Sequence, residues 1–132
     1  MSYITNIKKK TEENITFRTV LFTGEKSQLV IMAILPGEEI GKEKHPHVEQ
    51  TLIILSGKAE VTLDGVKRDV TTGDAIVVTP GIKHNVINTG SETLKIYTLY
   101  APANHIDGRV HVSKEDADAD EEDEKFGHQA PS

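Results

Sequence analysis

Eight short apolar stretches, each closed by a turn signal within a few residues, constrain this chain more than any other feature. They read "TFRTVLF" (16–22), "QLVIMAIL" (28–35), "QTLIILS" (50–56), "AEVTL" (59–63), "VKRDV" (66–70), "DAIVV" (74–78), "HNVIN" (84–88) and "LKIYTLYA" (94–101). Between them stand "TGEKS", "PGEEIG", "SGK", "DG", "TTGD", "TPG", "NTGSE" and "AP". Such spacing of β-branched runs and Gly/Pro/Asn/Asp punctuation predicts an all-β sandwich or barrel. Asp64-Gly65 between two alternating runs predicts a two-residue hairpin. A polar opening with one helical turn near "KKKTEEN" precedes the strands. In "QTLIIL" both faces are apolar, with Leu52 and Ile54 on one and Ile53 and Leu55 on the other. A strand buried on both sides needs a covering layer, either a second subunit or the N-terminal segment. The expectation is a homodimer.

At 132 residues the chain is one domain by length. No apolar run approaches the roughly 20 residues that span a membrane, and "MSYITNIKKK" lacks the apolar centre of a secretory signal. With no cysteine, disulfides and thiolate metal sites are excluded, which fits a cytoplasmic protein. The net charge of −6 sits wholly in residues 113–132, where eight acids stand against two lysines. The neutral body argues against a nucleic-acid partner, which calls for a basic face. The acidic run reads as a solvated tail, partly disordered or forming a short helix capped by "SKED". The expected division is a β-barrel domain over 1–112 and an acidic tail over 113–132.

Chemistry points to the histidines. His45 and His47 lie two apart on one face of an extended segment, followed by Glu49 and Gln50. "GDAIVVTPGIKHNVIN" adds His84 at a strand start and Asn88 four residues on. Together, residues 37–57 and 73–88 resemble the two motifs of a small single-domain cupin, a double-stranded β-helix or jelly-roll barrel. In the first cupin motif a Gly is followed after five residues by His-x-His, then three or four residues later by Glu, and six later by Gly. Counting back from Gly57 reaches Gln50, then His45, Glu43 and Gly37 with every spacing kept. The resemblance therefore implies a ligand set of Glu43, His45, Gln50 and His84, with Glu in place of the first His and Gln in place of Glu. The alternative keeps the pair His45 and His47 with a shortened loop, and makes His47 the ligand. In the second motif six residues, one more than usual, separate Gly73 from Pro80.

Two imidazoles, one carboxylate and one amide oxygen suit a divalent transition metal such as Fe, Ni, Zn, Co or Mn. With a single carboxylate the ion keeps one unbalanced positive charge, which favours a small polar or anionic ligand. The resemblance implies an enzyme of dioxygenase or isomerase type, with His47 or Glu49 as candidate general base. Because the fold hosts many activities, a non-catalytic small-molecule or metal-binding module is the rival reading, and a metal-free epimerase using His and Tyr is a third. His105 and His111 flank "IDGRV" where the chain could cross the barrel mouth, as candidate proton carriers. Arg18 and Asn88 are candidate supporting groups, Tyr97 and Tyr100 are expected to pack, and His128 is expected to have no role.

Overall fold

A computed structural model of the chain describes residues 2–128. The last four residues of the predicted tail, 129–132, lie outside the described residues. Strands form where the apolar runs stand: β1 (Arg18–Thr23), β2 (Gln28–Ile34), β3 (Glu49–Ser56), β4 (Lys58–Leu63), β5 (Val66–Thr71), β6 (Ala75–Val78), β7 (His84–Asn88), β8 (Leu94–Ala101) and a short β9 (Val110–His111). Helix α1 (Ile7–Glu13) precedes them, capped by Asn6, whose side chain accepts from the Lys9 N–H. Helices α2 (Lys114–Ala119) and α3 (Glu121–His128) follow, and Ser113 caps α2 by accepting from the Asp116 N–H.

The strands build two antiparallel sheets, ordered β6-β3-β8-β2-β1-β9 and β5-β4-β7. Val30, Met32, Leu52, Ile54 and Ile96 from the large sheet meet Ala59, Val61 and Val86 from the small one in a single buried core. This is the jelly roll that the spacing of apolar runs implies. Asp64 and Gly65 turn the β4–β5 hairpin with φ of 47° and 83°, the left-handed pair that a two-residue turn of this kind requires. On the outer face of the large sheet, α1 packs against β2, β3 and β8, so the N-terminal segment covers part of what the apolar outer side of β3 left open. No helix among the described residues is long and apolar enough to cross a membrane.

Candidate metal centre

The loop from Gly37 to His45 runs antiparallel beside β7 and is bonded to it along its length. The Gly37 N–H donates to Asn88 O (3.1 Å) and the Ile40 N–H to Val86 O (2.9 Å), while the Gly81 N–H, in the turn before β7, donates to His45 O (2.8 Å). Glu43 and His84 exchange both main-chain hydrogen bonds, at 2.9 and 2.8 Å. Directly opposed residues of an antiparallel pair carry their side chains on one face, and His45, two residues past Glu43, points the same way. The backbone thus gathers one carboxylate and two imidazoles. One donor atom from each of Glu43, His45 and His84 lies within 4.8 Å of the other two. Donor atoms around one ion with bonds of about 2.1 Å stand about 3–4 Å apart, so the cluster is near the spacing a shared cation needs.

Protonation favours the same use. The His84 Nδ1–H donates to Ile82 O at 3.0 Å, which leaves Nε2 as the lone-pair nitrogen. That Nε2 is buried and has no hydrogen-bond partner among the described residues. Burial also pushes the His84 pKa below its ordinary 6.5, keeping the ring neutral. For Glu43, burial opposes ionisation, but the hydrogen bond with His45 and the charge of Arg18 outweigh it and hold the carboxyl down to about 2. Glu43 Oε2 and His45 Nε2 stand 2.9 Å apart. Gln50 reaches inward from β3, with Nε2 donating to Thr98 Oγ1 at 3.2 Å, while its buried Oε1 is unpartnered. The buried acceptor His84 Nε2, without a donor, is what a bound cation would satisfy. The donor set fits a divalent transition metal.

His47 and Glu49, the candidate bases, are exposed and do not line the cavity beside this cluster. That cavity measures about 540 Å³, and its wall includes Arg18, Glu43, His45, His105 and residues of α2 and α3. Arg18 sits on β1, side chain almost fully buried, with Nη2 3.9 Å from Glu43 Oε1. Asn88 does structural work, its Nδ2 donating to Ile34 O (2.8 Å) and Glu92 O (2.9 Å). Tyr97 is half-buried on the outer face, whereas Tyr100 is buried inside, its ring 6.3 Å from that of His45. His128 also reaches the cavity wall but remains largely exposed.

The acidic tail is where the structure adds most. Asp123 of α3 is buried, with Oδ2 2.7 Å from His105 Nδ1 and Oδ1 accepting from the Ile106 N–H at 2.7 Å. The other ring nitrogen, His105 Nε2, stands 3.2 Å from the Tyr100 hydroxyl. Gln28 fixes the loop by accepting from the His105 N–H (3.0 Å) and donating to its carbonyl (2.7 Å). Burial lowers the pKa of His105, against the Asp123 carboxylate, and burial raises that of Tyr100 well above its usual value. In parallel, His111 Nε2 meets Asp120 Oδ2 at 2.9 Å, and Arg109 Nε reaches the same oxygen at 2.9 Å. Residues of 113–128 therefore close one side of the cavity. Nothing local distinguishes Asp123 from the seven acids around it in sequence; only the buried histidines of the 104–111 segment would hint at a partner.

Residues 30–100 match the family described as cupin domain. The uncharacterized protein YrkC of Bacillus subtilis is 45% identical over 126 residues, spanning 91% of this chain and 68% of that protein. An uncharacterized protein of Acanthamoeba polyphaga mimivirus is 36% identical over 117 residues, spanning 85% of this chain and 72% of its own. The crystal structure of a Bacillus halodurans protein superposes with a TM-score of 0.88 at 38% identity, covering 90% of this chain and 95% of that one. With the two motifs, the jelly roll and a match over more than half its length, the chain belongs to the cupin family.

Proposed function

We propose that the protein binds a divalent transition metal through Glu43, His45 and His84, with Gln50 as a further oxygen donor, and acts as an enzyme on a small polar or anionic molecule. The observation that carries this reading is the convergence of a donor atom from each of the three residues within 4.8 Å, together with the buried, unpartnered Nε2 of His84. Bound there, such an ion would act as a Lewis acid toward a carbonyl or enolate oxygen, in the manner of an oxygenase or isomerase. The remaining work falls to the chain. Helices α2 and α3 wall one side of the cavity, and Asp123 holds His105 in the tautomer whose Nε2 accepts from Tyr100. His105 and Tyr100 together can hold a proton at the cavity wall.

Elemental analysis of protein purified without chelators or an affinity tag tests the reading, using wild type, Glu43→Ala and His47→Ala. The expected result is one metal per chain, lost in Glu43→Ala and kept in His47→Ala. Loss in His47→Ala alone would instead favour the His45–His47 pair. Metal in none of them would refute the centre. A non-catalytic binding module is the second reading, favoured by the exposure of His47 and Glu49. Binding without turnover across a panel of carbonyl and enediol compounds, with metal-loaded protein, would select it.

A further inference from the structure

We propose that Arg18 forms an anion subsite beside the Glu43–His45–His84 cluster, and that its ligand is a short 2-oxo or 2-hydroxy acid whose carboxylate lies against the guanidinium. The proposal rests on the metal-centre reading for the ligand's second oxygen, but the carboxylate site stands on Arg18 itself. The Arg18 side chain is 6% exposed, held on β1 between Met32 of β2 and His111 of β9. A guanidinium out of water needs an anion at hydrogen-bond distance, and arginine's planar fork suits a carboxylate. Among the described residues Arg18 has no carboxylate that close, and its hydrogen bond with the Tyr100 hydroxyl brings no charge. Its nearest carboxylate oxygen, Glu43 Oε1, is 3.9 Å away, beyond a hydrogen bond. Its Nη1 faces His111 Nδ1 at 3.4 Å, a ring nitrogen that carries no negative charge. Its Nε is buried with no partner. The Phe17 ring, 5.2 Å from the guanidinium carbon, supplies only a weak counter-field.

The other acids nearby are already committed. Asp123 is bonded to His105 and the Ile106 N–H, and Asp120 to His111, Arg109 and the Asp123 N–H. Neither can turn to Arg18 without stranding a buried group. Because Arg18 lines the cavity, an entering anion can reach it. The 3.9 Å between Arg18 Nη2 and Glu43 Oε1 limits the ligand's reach. A carboxylate on the guanidinium and an oxygen one carbon away beside Glu43 fit a three-carbon acid. A longer chain would extend into the rest of the cavity, toward α2 and α3.

Isothermal titration with pyruvate and its neutral analogue pyruvamide tests this on the full chain, both metal-loaded and stripped. Wild type is expected to bind pyruvate at least about tenfold more tightly than pyruvamide, and Arg18→Gln to lose that preference while Arg18→Lys keeps part of it. Metal content of Arg18→Gln should match wild type. Because a buried arginine can be needed for folding, the Arg18 Nε–H resonance of wild type provides a second measurement, expected to move on adding pyruvate but not pyruvamide. Equal binding of the two compounds, no binding of pyruvate, or an unmoved Nε–H signal would overturn the subsite. Pyruvate binding that depends on Arg18 in a protein that holds no metal would keep the subsite and refute the metal centre. Metal uptake with pyruvate binding indifferent to Arg18 would do the reverse.

Discussion

Asp123 accepts two hydrogen bonds, from His105 Nδ1 and the Ile106 main chain, while almost wholly buried. Asp123→Asn keeps the shape but removes the charge that makes the first bond strong. The variant is expected to be less stable by about 1–3 kcal/mol in denaturant unfolding. Its Tyr100 hydroxyl should lose the fixed acceptor at His105 Nε2. The pH dependence follows from the same burial. His84 and His105 both have folded pKa values below their ordinary 6.5. The unfolded chain therefore takes up protons that the folded one resists, so stability is full above about pH 6.5 and falls as pH drops below it. Glu43, held down to about 2 from 4.5, and Asp123, also lowered, add a second loss below about pH 4.5. Thermal unfolding should shift downward between pH 7 and 5, and His105→Gln should flatten that slope.

Among the elements, the turn after β3 is the most sharply specified. Gly57 has φ of +113°, and an added Cβ would stand 3.1 Å from Leu94 Cδ1 and 3.2 Å from its Cα. Gly57→Ala is expected to cost about 1–3 kcal/mol in denaturant unfolding, with both the backbone and β8 resisting. The strands themselves were legible because alternation and turn chemistry are local. "VTLDGVKR" carries its own hairpin, since Asp64 and Gly65 at the tip set the register of β4 against β5. The loop 37–45 was not legible as a strand-like segment. Its glycines and charges break the alternation, and only the bonds to β7 make it an added rung of the small sheet. Counting from Gly57 picks out Glu43 and His45, and of the two β7 sets Glu43 opposite His84. The tail failed to announce itself for a different reason. Helix α3 buries a charged residue rather than an apolar stripe, so hydrophobic periodicity had nothing to register.

For the molecule as a whole, the outer face of the large sheet bears on assembly. Val77, Thr51, Leu99 and Leu29 stand opposite one another across β6, β3, β8 and β2, and Val77 and Leu99 are 54% and 42% exposed. Helix α1 covers part of this face, and we propose that a second copy covers the rest. Sedimentation velocity should then give a dimer, with Val77→Glu and Leu99→Glu shifting it to monomer; a monomeric wild type would refute the assembly. The cavity, in turn, draws its walls from Arg18 near one end of the chain, Glu43 and His45 near the middle, and Asp123 near the other end. In a chain without a single cysteine, whatever settles in that cavity acts as a reversible staple. It ties remote segments together only while it stays, and the protein's resistance to unfolding becomes a reading of how much of its ligand is at hand.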